Sequence, residues 1–131
     1  MEQFAVELIL TRQLASYLAV PVWLASADGK VLYYNESAEK LVGLRFDEAP
    51  PLTVAELPEL LQATRLDGSP LTPEDLPMGT VLRERRPVHR SLKWQGLDGV
   101  SRQGEFTAFP LEGQGGQHLG GVVICWEEEG P

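Results

Sequence analysis

Two Asp-Gly dipeptides constrain the fold of this chain more than any other feature. Asp28-Gly29 and Asp98-Gly99 each lie between two runs of apolar, β-branched and aromatic residues. Asp-Gly is a strong signal for the tight turn of a β-hairpin, because glycine adopts a positive φ there without steric cost. The sequence therefore predicts two hairpins. Their strands are 21–26 and 30–34 around the first turn, and 88–97 and 101–110 around the second.

A fifth strand and several helical segments complete the pattern. Residues 118–127 contain the apolar run Val122–Trp126, which predicts a buried strand. Asn35 and Gly43 bracket a short predicted helix, since asparagine is a good N-cap and glycine commonly follows a helix end. Further helices are predicted at 53–61 and 77–85. Hairpins combined with helices predict an α+β fold, with the helices on one face of an antiparallel sheet.

The N-terminal stretch 2–19 contains neither glycine nor proline and predicts an additional, amphipathic helix. Four of its apolar side chains recur at near-helical spacing, namely Val6, Leu10, Leu14 and Tyr17. Such a helix either packs on its own domain or pairs with a second subunit, and the sequence leaves both alternatives open. The predicted organisation is an N-terminal helix at 1–19, one domain at 20–127 and an acidic tail at 128–131.

Charge and cysteine content disfavour several classes of function. The formal net charge is −8, which disfavours nucleic acids and anionic membrane surfaces as partners because both require a basic protein surface. One cysteine and two histidines exclude an internal disulfide framework and would barely complete a transition-metal site, so no metal is predicted. No apolar run reaches the length of a membrane span. The acidic N-terminus differs from a basic signal peptide, and we expect a cytoplasmic protein.

The order of these motifs resembles that of the PAS domain family, especially bacterial PAS sensors. The resemblance extends from about Leu14 to Glu127. Its most specific part is Pro21-Val22-Trp23-Leu24, Asp28-Gly29-Lys30-Val31, Tyr33-Tyr34-Asn35 and Ala38 to Gly43. The second half follows the same family order through Asp67-Gly68-Ser69-Pro70-Leu71, Arg86-Pro87-Val88, Leu97-Asp98-Gly99, Phe109-Pro110-Leu111 and Gly120-Gly121-Val122-Val123.

The resemblance implies a five-stranded antiparallel sheet with strand order 2-1-5-4-3 and helices that enclose a core. In some members of the family that core holds a ligand. The resemblance also implies a sensory or dimerising role beside an effector domain. Sensor kinases commonly continue from the last strand with Asp-Ile-Thr and a signalling helix, whereas residues 127–131 here read Glu-Glu-Glu-Gly-Pro. We therefore expect either a stand-alone module or a fragment of a larger sensor.

The resemblance also bears on cofactors. Flavin-binding members use a cysteine in an Asn-Cys-Arg-Phe motif on the central helices, and the corresponding region here contains no cysteine. Cys125 lies on the last predicted strand, and we interpret it as a buried small hydrophobe. Haem-binding members supply a histidine from the helix before the third strand. The predicted helix 77–85 has none, and His89 is expected on the strand surface. Flavin and haem are therefore disfavoured.

A small-molecule pocket lined by apolar side chains is the more plausible binding site. Alternation places Trp23 and Ala25 on one face of the first strand, and the resemblance implies that Leu32 and Tyr34 face the same side. Tyr34 is the expected hydrogen-bond partner of an aromatic or fatty ligand. The candidate lining residues are Trp23, Leu32, Tyr34, Met78, Leu82, Trp94, Phe106 and Ile124. The alternative is that these side chains simply fill a core.

Enzyme motifs are weak in this sequence. No phosphate-binding loop, nucleophile elbow or His-Glu-x-x-His helix is present. Asp28 and Glu39 are acid–base candidates, but a turn and a helix start explain both.

The leading hypothesis is a homodimeric sensor in which a ligand or partner shifts the packing of the N-terminal helix. The alternatives are a constitutive dimerisation adaptor with a filled core and, third, a small isomerase-like enzyme or carrier.

Overall fold

The computed structural model of the protein describes residues 5–127 and confirms the α+β class. Its helices are α1 (Val6–Tyr17), α2 (Glu36–Val42), α3 (Leu57–Leu60) and α4 (Pro77–Glu84). Its strands are β1 (Val22–Ser26), β2 (Val31–Tyr34), β3 (Val88–Gln95), β4 (Ser101–Glu112) and β5 (His118–Glu127). Residues 2–4 of the predicted N-terminal helix and the predicted acidic tail at 128–131 lie outside the described residues.

The five strands form one antiparallel sheet in the order β2-β1-β5-β4-β3, which confirms the expected topology. Both predicted hairpins are present, because β1 pairs with β2 and β3 pairs with β4. Gly29 and Gly99 have φ angles of 89° and 80°, a region that glycine occupies without steric cost. The carboxylate of Asp28 accepts a hydrogen bond from Ser26 Oγ, and that of Asp98 accepts one from a backbone N–H two residues later.

Helix α2 begins and ends at the predicted residues. Asn35 Oδ1 accepts a hydrogen bond from the N–H of Ala38 at 3.0 Å, which caps the helix N-terminus. Gly43 ends the helix with a φ of 83°, and its N–H donates to the Glu39 carbonyl. A Cβ atom at Gly43 would lie 2.8 Å from the backbone nitrogen of Asp98. This glycine therefore allows the β3–β4 turn to approach the end of α2 closely.

The sheet is covered by helices on both faces. Helices α2 and α4, with the segments between them, pack on what we call the inner face, around Trp94, Met78 and Tyr34. Of the helices within residues 5–127, α1 is the one that packs on the opposite, outer face, where Leu8 and Ala15 are buried. The N-terminal helix is thus separated from the other helices by the sheet. None of the helices within residues 5–127 has the length and apolar character that crossing a bilayer requires.

Candidate functional site

A cavity of about 80 Å³ lies between the inner face and the helices. Three aromatic side chains, one from each of three strands, form its floor. The ring centroid of Phe106 on β4 lies 6.0 Å from that of Trp23 on β1 and 5.2 Å from that of Trp94 on β3. The helices contribute Leu41 and Val42 from α2, Leu57 from α3, and Pro77 and Met78 from α4.

Four of the eight candidate lining residues border this cavity, namely Trp23, Met78, Trp94 and Phe106. Leu82 packs beside the cluster that contains Met78 and Val81 but is not part of the cavity wall. The floor of the cavity is thus formed by three of the predicted lining residues, Trp23, Trp94 and Phe106. The remaining three candidates, Leu32, Tyr34 and Ile124, lie elsewhere.

The position of Leu32 corrects the inward orientation that the family resemblance implied. Leu24 pairs with Tyr33 and Ala25 pairs with Val31, so Leu32 is the extra residue of a β-bulge. In a bulge, two residues of one strand oppose a single residue of its partner, which disturbs the alternation of side chains. Leu32 therefore joins Tyr33 in the cluster on the outer face, beneath α1.

Ile124 requires a similar correction. It pairs with Val22 of β1, and both side chains belong to the outer-face cluster. Its neighbours Val123 and Cys125 face the inner clusters instead. Strand β5 is apolar on both sides because helices cover both faces of the sheet, and alternation of polar and apolar residues therefore gave no signal for its orientation.

Tyr34 is buried at the rim of the inner face and does not border the cavity. Its hydroxyl group donates to the carbonyl oxygen of Leu44 at 2.9 Å, and its ring makes an edge contact with Phe46. Burial, with a smaller contribution from the negative charge of Glu39, raises the pKa of Tyr34 to about 12. The phenol is therefore a structural hydrogen-bond donor, and Tyr34 lies outside the wall of this cavity.

Several wall residues were missed because they come from the proline-rich middle of the chain. Val54, Leu57 and Leu61 all border the cavity, at spacings of three and four residues. This spacing is a helical signal that could have identified them. Ala63 and Leu76 also border it, and nothing in their local sequence indicates an inward orientation.

The chemistry of the cavity is uniform. Every wall residue in the described part of the chain is apolar, and none of these residues carries a titratable side chain. Its volume equals that of about two or three molecules of liquid water. Pockets for drug-sized ligands are larger, at roughly 300–1,000 Å³. The cavity as it stands suits an uncharged, apolar molecule of a few heavy atoms, and it offers no group for acid–base catalysis.

The outward side of α1 is a second candidate site. We call Val6, Leu10, Leu14 and Tyr17 the α1 stripe, and these side chains are 64%, 57%, 60% and 77% exposed. Leu8 and Ala15 lie on the opposite side of the helix and are buried against the sheet. Helix α1 is therefore apolar on both sides, one of which is covered by the sheet.

Besides those two buried side chains, two further kinds of contact between described residues attach α1 to the domain. The guanidinium of Arg12 lies over the ring of Tyr33, 4.7 Å from its centroid, and 5.7 Å from that of Phe46. The side-chain amide of Asn35 donates to the carbonyl oxygen of Ala15 at 2.9 Å. These polar and cation–π contacts tie the helix to the β2 edge of the sheet.

Three other side chains of chemical interest, Asp28, Glu39 and His89, have structural partners. The hydrogen bond from Ser26 lowers the pKa of Asp28. A carboxylate oxygen of Glu39 accepts the N–H of Phe46 at 2.7 Å. His89 lies on the exposed strand surface, where its Nδ1 is 2.9 Å from Thr107 Oγ1. Within residues 5–127, no three histidine, cysteine, aspartate or glutamate side chains are grouped as a metal site would require.

Three solved structures illustrate the similarity of this fold to known proteins. The PAS domain of a Colwellia psychrerythraea protein is 16% identical, with a TM-score of 0.64 over 92% of this chain and 97% of that chain. The PAS domain of nitrogen regulation protein NR(II) from Vibrio parahaemolyticus is 16% identical, with a TM-score of 0.63 over 91% and 98%. The LOV protein of Rhodobacter sphaeroides is 10% identical, with a TM-score of 0.71 over 94% and 68%.

Identities this low establish a shared fold and nothing finer. No curated protein matches the chain. A family model described as "PAS fold" matches residues 17–127, and this range contains the whole sheet and the cavity. Because this match spans most of the sequence, the chain belongs to the PAS fold family.

Proposed function

We propose that this protein is a signalling module whose output is the pairing of two copies through the α1 stripe. The observation that carries the proposal is the exposure of Val6, Leu10, Leu14 and Tyr17 on the outward side of one helix. Burial of apolar surface is favourable by about 25 cal/mol per Å². A second copy presents the same stripe, so a two-fold symmetric pair would bury both.

Family membership supports a signalling role over an enzymatic one. PAS domains are generally sensory or regulatory modules. One of the similar structures belongs to a nitrogen regulation protein. The apolar, non-titratable wall of the cavity also gives no support to the enzyme alternative, since a catalytic cleft needs convergent acid, base or nucleophilic groups.

The proposed input is a small apolar molecule in the cavity at Trp23, Trp94 and Phe106. Such a ligand would favour whichever packing of the helices enlarges the cavity, and it would shift the population of α1 positions accordingly.

The small volume of about 80 Å³ favours a second candidate function, a constitutive dimerisation adaptor with a filled core. Both functions use the α1 stripe, and they differ in whether the cavity influences pairing.

Sedimentation velocity of wild type and Leu10→Glu tests the pairing. We expect wild type to dimerise and Leu10→Glu to be monomeric, because a carboxylate in an apolar interface is strongly unfavourable without a partner. Leu66→Glu is the matched control, since Leu66 is an exposed leucine, 43% accessible, on a loop away from α1. A dimer that survives in Leu10→Glu, or a wild type that stays monomeric at high concentration, would contradict the proposal.

Native mass spectrometry and a cavity-filling variant separate the sensor from the adaptor. A sensor purified with its ligand shows extra mass that disappears on denaturation. Ala63 borders the cavity and is buried, so the three additional carbons of Ala63→Leu would occupy much of the space. For a sensor, this variant loses the bound mass and changes the dimer dissociation constant. An unchanged dissociation constant and no bound mass in wild type would favour the adaptor.

A further inference from the structure

The amide of Asn35 closes the C-terminal end of α1. Its Nδ2 donates to the carbonyl oxygens of Ala15 at 2.9 Å and Val20 at 2.8 Å, with a longer contact to Leu18 at 3.4 Å. A helix leaves its last carbonyl groups without intrahelical partners. Helix α1 has no basic side chain in its last turn and no left-handed residue after it. The N–H of Leu18 donates to the Ala15 carbonyl as a local cap, and Asn35 adds a tertiary donor to that oxygen and to the carbonyl groups that follow it.

The other half of the same amide is bonded to different elements. Asn35 Oδ1 accepts the N–H of Ala38, which caps α2, and the N–H of Val22 at 3.1 Å, where β1 begins. The side chain is 1% exposed, so water does not compete for these bonds. One buried amide thus holds the end of α1 with its donor and the start of α2 with its acceptor.

We infer that Asn35 is the positioning residue that couples the orientation of α1 to the wall of the cavity. Helix α2 carries Leu41 and Val42, which border the cavity. A displacement of α2 would turn the amide, and hydrogen bonds as short as those to Ala15 and Val20 lengthen on a small rotation. Occupancy of the cavity and attachment of α1 are therefore linked. The consequence for pairing rests on the function proposed above, whereas the coupling itself does not.

Substitutions of Asn35 can separate the role of the amide nitrogen from that of the amide oxygen. Asn35→Ser keeps an oxygen that caps α2, since serine is a favoured N-cap, but it has no donor that reaches the carbonyl groups of α1. Asn35→Asp also keeps the acceptor and replaces the donor with a carboxylate oxygen, which repels those carbonyl oxygens. Asn35→Ala removes both halves. A purely structural role would weaken α1 and α2 together in all three variants.

Residue-resolved amide hydrogen exchange of the full chain measures the two helices separately. In Asn35→Ser we expect the protection factors of α1 to fall about tenfold or more, while those of α2 change by less than about threefold. Asn35→Ala lowers protection in both helices. The control is Ser37→Ala, which removes the bond from Ser37 Oγ to the Ala19 carbonyl at 2.7 Å and leaves α1 attached. Equal loss in both helices of Asn35→Ser and Asn35→Asp, or unchanged protection of α1, would overturn the inference.

A cavity-wall substitution in two backgrounds tests the coupling. Val42→Ala is expected to change the protection of α1 when Asn35 is present and to leave it unchanged in Asn35→Ser. The same change in both backgrounds would show that the coupling does not pass through Asn35. Repeating these measurements in proteins that also carry Leu10→Glu reports the attachment of α1 when the two copies do not pair. A failure of pairing in the sedimentation experiment is therefore distinguishable from a failure of this inference.

Discussion

The two faces of the sheet are covered in different ways. On the inner face, Trp23, Trp94 and Phe106 interlock with helices from three segments and leave about 80 Å³ unfilled. On the outer face, one helix contributes two buried side chains, Leu8 and Ala15. We therefore expect most of the packing stability to lie on the inner face.

Each contact that attaches α1 to the sheet contributes only a small free energy to stability. An exposed cation–π contact such as that of Arg12 contributes about 0.5–1 kcal/mol, and a hydrogen bond contributes about 1 kcal/mol net. Elements attached by few contacts open locally at a fraction of the global free energy of unfolding. We therefore expect the attachment of α1 to open and close without unfolding of the domain, which is what the proposed pairing requires.

The largest effect should follow from loss of an inner-face aromatic side chain. Trp94 is 5% exposed and contacts Phe106 edge to face. We expect Trp94→Ala to lower the free energy of unfolding by about 3–5 kcal/mol, because a large cavity remains in a rigid core. Urea unfolding followed by circular dichroism measures this. A loss below about 1 kcal/mol would mean that the inner face does not carry the stability assigned to it.

A substitution on the outer face should have a smaller effect. Leu8 is 8% exposed and belongs to the cluster beneath α1. We expect Leu8→Ala to cost about 2 kcal/mol, at the low end for buried leucine, because a single helix can shift to close the gap. The same urea titration measures this loss in the free energy of unfolding. If the loss equals or exceeds that of Trp94→Ala, the contrast between the two faces is wrong.

The smallest effect concerns the phenol of Tyr34. Tyr34→Phe removes the hydrogen bond to the Leu44 carbonyl and should cost about 1 kcal/mol at neutral pH. The folded-state pKa of about 12 exceeds the ordinary value of 10.0. Between these values the unfolded chain loses this proton and the folded chain keeps it, so the contribution of Tyr34 to stability falls as pH rises.

Urea midpoints of wild type and Tyr34→Phe at pH 7 and pH 11 check this prediction. The difference between the two proteins should shrink at pH 11. A difference that stays constant or widens would show that the phenol is not held in its protonated form.

Local signals in the sequence identified most of the fold, because each depends on neighbouring residues. The Asp-Gly turns and the capping oxygen of Asn35 are examples, and both are confirmed. Leu32 and Ile124 were misplaced for non-local reasons, a bulge in one case and a strand buried on both faces in the other. The side-chain nitrogen of Asn35 donates to the carbonyl groups of Ala15, Leu18 and Val20, which precede it by 20, 17 and 15 positions. No local sequence pattern indicates these contacts.

Amide hydrogen exchange of the wild-type protein at low and high concentration tests the central claim most directly. In dilute solution we expect the amides of α1 to exchange through local opening, much faster than those of α4 and β5. At concentrations that favour pairing, α1 should gain protection while α4 and β5 stay unchanged. Exchange in α1 that is independent of concentration, or as slow as in β5, would contradict the account.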